Sequence, residues 1–67
     1  MLLKSFLKLI RTNEIISIYS PLNNQYLQRE TDKANVKKEY LNYKVVGVNT
    51  NFTYGDFTIL EIDIVRQ

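Results

Sequence analysis

The stretch Phe57-Thr-Ile-Leu-Glu-Ile-Asp-Ile-Val65 decides the fold of this 67-residue chain. It is rich in the β-branched and aromatic residues that favour strands. Side chains alternate between the two faces of a strand, so Leu60, Ile62 and Ile64 share one face and Ile59 begins the other. The pattern predicts a strand whose even-numbered face packs against the core.

Other parts of the chain also have strand character and are separated by turn residues. Isoleucines dominate the first of these segments, and Pro, Asn and Gly mark the breaks between them. The sequence predicts strands over 14–20, 25–30 and 44–50, with turns over 21–24 and 51–56.

Two helices are expected. On a helical wheel the first has an apolar side, through which Leu3, Phe6, Leu7 and Ile10 pack on the sheet, and it ends at residues 12–13. The second covers Lys33 to Asn42, with Val36, Tyr40 and Tyr43 in one stripe along the core side. A loop with a single helical turn is the alternative for this segment.

Together these elements predict one small α+β domain spanning residues 1–67. Its N-terminal helix packs across a small antiparallel sheet, in the order αββαββ. The chain has no Cys and no His, so neither a disulfide nor a usual zinc site can stabilise so thin a core. The second sheet face mixes apolar residues with Ser and acids, namely Ile15, Ser17, Tyr19, Ile59, Glu61, Asp63 and Val65. Both features predict a homo-oligomer, most simply a two-fold dimer.

The residue types of the chain give little support for catalytic activity. Glu61 and Asp63 share a strand face, but they have no His, Cys or phosphate loop beside them, so cross-strand pairing with Lys44 or Arg66 is the favoured role. The serines lack a histidine to activate them. We expect no enzyme activity, no catalytic residues, no metal and no cofactor.

Two groups of basic residues are candidates for nucleic-acid binding. Lys4, Lys8 and Arg11 form a stripe on the outer side of the first helix, and the second group consists of Lys33, Lys37, Lys38 and Lys44. Clusters of this kind bind phosphates. Seven acids offset the nine bases, however, so a solvated helix face is the favoured alternative.

Aromatic residues surround the last predicted turn. Phe52, Tyr54 and Phe57 lie on either side of Gly55, where loops usually carry polar residues. They are candidate anchors for a protein partner, and the alternative is that they pack at the edge of the core.

The order and hydrophobic spacing of the segments 2–10, 14–19, 40–46 and 59–64 resemble those of small proteins from Gram-positive phages and prophages. The resemblance spans most of the chain and includes no signature motif. It implies a host-takeover or anti-defence factor, such as an inhibitor of CRISPR nucleases, that acts by stoichiometric binding. The chain departs from the acidic inhibitors that mimic DNA, because its net charge is +2.

The expected function is therefore that of a non-enzymatic interaction protein that binds and inhibits or sequesters a host factor. A small nucleic-acid-binding accessory protein is the alternative. Lys4 and Lys8 interrupt the apolar start of the chain, and no stretch suits a membrane span, so we expect a cytoplasmic location and no membrane partner.

Overall fold

The computed structural model describes residues 1–11, 14–54 and 57–66, except for the side chains of residues 51–54, 57 and 58. The fold is α+β, with one short helix and a four-stranded sheet. The elements are α1 (Leu3–Leu7), β1 (Ile15–Ser20), β2 (Gln25–Thr31), β3 (Lys44–Tyr54) and β4 (Phe57–Val65). All four predicted strands are confirmed, and β3 continues past Thr50 to Tyr54.

The sheet is mixed, so the prediction of a wholly antiparallel sheet is wrong. The strand order is β2-β1-β4-β3. The β1–β2 and β3–β4 pairs are antiparallel, whereas β1 and β4 run parallel with Ile16 beside Leu60 and Ile18 beside Ile62. Alternating apolar residues show which face of a strand is buried, but they do not show the direction of its neighbour.

The core lies on the even-numbered face of β4, as the sequence predicts. Ile62 is fully buried there, and Ile64 is 1% exposed. The core consists of Leu3, Leu7, Ile10, Ile16, Ile18, Val36, Ile62 and Ile64. Phe6 is only partly buried against this cluster, so three of the four predicted helix contacts lie in the core and the aromatic one lies at its margin.

The first helix is shorter than the sequence predicts. After Leu7 the backbone hydrogen bonds join residues three apart instead of four, which is a tighter turn. Leu9 N–H donates to Phe6 O (2.9 Å) and Ile10 N–H donates to Leu7 O (3.3 Å). This turn leaves Leu9 72% exposed and returns Ile10 to the core. The Lys33 ammonium donates to Ile10 O at 2.8 Å, which satisfies a carbonyl that follows the helix. The predicted helix end at residues 12–13 lies outside the described residues.

A second α-helix over Lys33 to Asn42 is not present. The segment instead forms two 3₁₀ turns, Lys33–Asn35 and Lys38–Tyr40. The Asp32 side chain accepts a hydrogen bond from Asn35 N–H at 2.9 Å, which closes the first turn. Val36 and Lys37 then have extended backbone, with ψ of 129° and 136°, which breaks the helical path.

The stripe predicted for that helix nevertheless packs as expected. Val36 is 7% exposed and belongs to the core. Tyr40 and Tyr43 pack against the core and contact each other edge to face, with ring centroids 5.6 Å apart. Buried apolar residues therefore hold the segment on the sheet without helical periodicity.

Candidate interaction surfaces

One face of the sheet carries none of the residues of this core cluster, although Ile59 on it is 7% exposed. The helix and both 3₁₀ turns pack on the other face, so we call this one the uncovered face. Register places these residues on it: Ile15, Ser17, Tyr19, Tyr26, Lys44, Gly47, Asn49, Ile59, Glu61, Asp63 and Val65. Ile15, Tyr19 and Val65 are partly exposed, and Tyr26 is 36% exposed. The face thus offers apolar and aromatic surface around two acids.

An aromatic cluster lies on the β2 side of the uncovered face. The rings of Tyr19 and Tyr26 meet edge to face, with centroids 5.0 Å apart. The Arg29 guanidinium lies 4.4 Å from the Tyr26 ring centroid, within cation–π range. Tyr19 O–H donates to Asn24 Oδ1 at 2.9 Å, which ties the cluster to the β1–β2 turn. Asn24 has a φ of 55°, as expected for an Asn in that turn.

The two acids on the uncovered face are coupled to each other. Tyr26 O–H donates to Glu61 Oε1, and this hydrogen bond raises the pKa of Tyr26. Burial raises the pKa of Asp63, and the charge of Glu61 and a hydrogen bond to it raise that pKa further. Asp63 Oδ1 is buried and has no hydrogen-bond partner among the described residues. Ionised Asp63 is therefore poorly solvated by its own protein.

Gly47 makes room for the Asp63 carboxyl. It pairs with Asp63 across the β3–β4 ladder, and a Cβ added at Gly47 would lie 3.1 Å from Asp63 Oδ2. The carboxyl therefore lies close to the backbone of β3. The cross-strand partners expected from the sequence do not lie directly opposite the acids, since Lys44 pairs with Val65 and Arg66 donates to Tyr43 Oη at 3.3 Å.

Ser17 has a structural role on this face. It is 5% exposed, and its Oγ accepts a hydrogen bond from Glu30 N–H at 3.2 Å. Glu30 has a φ of 47°, and the β1–β2 register shifts twice. The Ser17 hydroxyl therefore satisfies a backbone N–H that this irregular pairing would leave unpaired.

Six of the nine basic residues lie in the segments that pack on the other face of the sheet. We call residues 1–11 and 32–41 the helical layer, and they contain six Lys or Arg against two Asp or Glu. Their formal charge is +4, whereas the rest of the chain carries −2. Hydrogen bonds join the two parts of this layer, including Lys4 N–H to Leu41 O at 2.9 Å. The fold thus brings together two basic groups that are far apart in sequence.

The predicted basic residues differ in their exposure and in their hydrogen bonds. Lys4, Lys8, Arg11, Lys37 and Lys38 are exposed, and none forms a side-chain hydrogen bond or ion pair to another described residue. Lys33, in contrast, is partly buried and its ammonium is used by the end of the first helix. Five of the basic side chains are therefore available to a ligand.

A groove of about 460 Å³ lies where the parallel strands β1 and β4 end. Its lining includes Ser20, Leu27, Tyr40, Tyr43 and Arg66. Burial raises the pKa of Tyr40, and a hydrogen bond to Glu39 raises it further. Sequence reasoning missed this groove because only the parallel pairing of β1 with β4 brings Arg66 beside the Ser20 end of β1.

The predicted aromatic anchors lie in strands rather than in a loop. Phe52 and Tyr54 belong to β3, and Phe57 opens β4 and pairs with Tyr54. Their side chains lie outside the described part of the structure, so their role as partner-binding residues stays a prediction.

The comparisons with known proteins assign the chain to no family. No family model matches the chain, and no curated protein or solved structure is significantly similar to it. Within the described ranges, no helix is long and apolar enough to cross a membrane. Nor does the described part of the chain contain three or more Asp or Glu residues placed to hold a metal ion.

Proposed function

We propose that the chain is a non-enzymatic interaction protein that binds a protein partner through the uncovered face of its sheet. The observation that carries this proposal is the composition of this face, where the partly exposed Ile15, Tyr19 and Tyr26 lie beside the carboxyls of Glu61 and Asp63. A partner that covers this face would remove apolar and aromatic surface from water, and a cationic side chain of the partner would pair with the two acids. The partner's complementary surface is a Lys or Arg beside apolar residues.

Binding suits this site better than catalysis. Glu61 and Asp63 lie on an open sheet face, where a substrate would not be enclosed or shielded from water. The aromatic pair Tyr19–Tyr26 is held rigidly beside them, and rigid tyrosines are common at the centres of protein interfaces. We therefore assign the acids to partner recognition.

The biological role in this proposal comes from the resemblance to phage proteins. The partner is then a host factor, which the protein inhibits or sequesters in the cytoplasm by stoichiometric binding. A small chain with a preformed, partly apolar face suits this role, because little ordering is required on binding.

Ile15→Lys tests the proposed face, with Leu9→Lys as the matched control. Ile15 is partly exposed on the uncovered face, and Leu9 is 72% exposed on the helical layer. We expect Ile15→Lys to weaken partner binding by at least about 2 kcal/mol, the usual threshold for a hot spot, because it places a charge at the apolar contact. Leu9→Lys should bind normally.

The measurement is quantitative capture of proteins from a Gram-positive lysate by wild type and both variants, followed by titration of the purified partner. Circular dichroism and thermal unfolding establish that both variants are folded. Equal partner affinity for folded Ile15→Lys and wild type would rule out the uncovered face as the binding surface.

A second candidate function, nucleic-acid binding, is favoured by the charge of the helical layer. Six bases against two acids on one side of the molecule would attract phosphates. The five exposed bases could each approach a phosphate without first breaking an ion pair to a described residue. This function would use the side of the molecule opposite the uncovered face.

Replacing Lys4, Lys8 and Arg11 together by Gln tests this second function. If each contacts a phosphate, the slope of log affinity against log salt for duplex DNA falls by about 2.7. The matched control replaces Arg29, Lys44 and Arg66 by Gln, which removes the same charge outside the helical layer. Equal slopes for both triple variants, or no binding by wild type at low salt, would exclude this function.

A further inference from the structure

The outer edge of β3 is free along most of its length. β3 and β2 form the two edges of the sheet. Within the described part of the chain, only the start of β3 is covered, where Val45 N–H donates to Met1 O at 2.8 Å and Leu2 pairs with Lys44. Residues 46–50 form no backbone hydrogen bond to any described residue outside β4. In an antiparallel edge strand, alternate N–H and C=O groups point away from the sheet, so this edge can accept another strand.

The two edges differ in their protection against pairing. β2 carries Arg29 and Glu30, and its pairing with β1 is broken by two register shifts. β3 has no charged residue after Lys44 and no proline. Its pairing with β4 also shifts twice, but residues 47–50 pair regularly between the shifts. Charge, proline and irregularity are the usual means by which an edge avoids association, and this stretch of β3 lacks all three.

Exposed apolar side chains accompany the free edge. Val46 is 52% exposed and Val48 is 42% exposed, although both lie in a strand of the sheet. An added strand would cover part of this surface while it satisfied the backbone groups.

We propose that β3 pairs antiparallel with β3 of a second copy of the chain, about a two-fold axis beside Asn49. An uncharged strand can face itself without like-charge repulsion, which favours a second copy over a charged segment of another protein. The axis at Asn49 places the two Lys44 residues at opposite ends of the paired strands. It also places Val48 beside Thr50 of the partner subunit, on the same face of the sheet.

The resulting dimer contains one continuous eight-stranded sheet. Because the strands join edge to edge, the uncovered faces of both copies stay open and lie side by side. This inference does not rest on the proposed function, since it concerns a different surface.

Sedimentation equilibrium of the full chain tests the pairing. We expect wild type to be a dimer at high concentration and to dissociate on dilution. Val48→Lys places two like charges close to the axis, so it should weaken dimerisation at least about tenfold. Leu22→Lys is the matched control, because Leu22 is 80% exposed in the β1–β2 turn and the change adds the same charge. It should dimerise like wild type.

Several outcomes would overturn the proposal. The first is that wild type stays monomeric up to about 1 mM. The second is that Val48→Lys dimerises as tightly as wild type. The third is that Ile15→Lys dissociates the dimer whereas Val48→Lys does not. Hydrogen exchange of wild type gives a readout that does not depend on any variant folding. The backbone amides of residues 46–50 should exchange more slowly as concentration rises, and concentration-independent exchange would also overturn the pairing. Loss of partner binding in Ile15→Lys with dimerisation intact tests the proposed function separately.

Discussion

Ile62→Ala is expected to leave the protein largely unfolded. Ile62 is fully buried in β4, the strand that pairs with both β1 and β3. Truncating a buried Ile to Ala costs about 2–5 kcal/mol, because apolar contacts are lost and a cavity stays behind. A domain of this size has a total stability of about 3–5 kcal/mol, so the change removes most of it.

Urea unfolding followed by circular dichroism measures this effect. The matched control is Val46→Ala, which shortens a 52% exposed residue of β3 and should cost less than about 1 kcal/mol. If Ile62→Ala unfolds at the same urea concentration as wild type, Ile62 does not lie in the core.

Leu3→Ala is expected to cause the second large loss of stability, and a larger one than Phe6→Ala. Leu3 is fully buried, and its N–H donates to Tyr43 O at 2.9 Å, so it holds the first helix against the start of β3. Its truncation should cost about 2–5 kcal/mol. Phe6 is only partly buried at the margin of the core, so its removal forfeits a smaller part of its apolar contacts.

Thermal unfolding of the two variants gives the comparison directly. For a domain of this size, each kcal/mol lowers Tm by about 4–8 °C. A Phe6→Ala variant that melts below Leu3→Ala would mean that the aromatic ring, rather than Leu3, fixes the helix on the sheet.

The sequence predicts the strands of this fold better than its helices. β4 has the bounds predicted from its apolar alternation, because each of its faces meets a distinct environment. The segment after Asp32 has helical spacing of Val36, Tyr40 and Tyr43, yet it forms 3₁₀ turns. Its apolar side chains need only reach the core. The Asp32 cap and the extended backbone at Val36 and Lys37 place them there without a helix.

The hydrophobic periodicity of the sequence does not predict the relative direction of the strands or the sites that depend on that direction. The parallel pairing of β1 with β4 brings Ser17 beside Glu61 and Tyr19 beside Asp63, far from each other in sequence. The mixed character of the second face was predictable, since the alternation of β4 places Ile59, Glu61 and Asp63 together. The Tyr26–Glu61 hydrogen bond could not be predicted from the sequence. It joins β2 to β4 across β1, so it depends on the strand order of the sheet.

The most direct test of this account asks whether the odd-numbered face of the sheet is open. Ile15 and Ile16 are adjacent in β1 and point to opposite faces; Ile15 is partly exposed, whereas Ile16 is fully buried in the core. Methyl NMR spectra of the free protein, recorded with a soluble paramagnetic agent, compare the two side chains in one sample. We predict strong broadening of the Ile15 methyl signals and little broadening of those of Ile16. Equal protection of both would contradict an uncovered face, and with it the proposed binding surface.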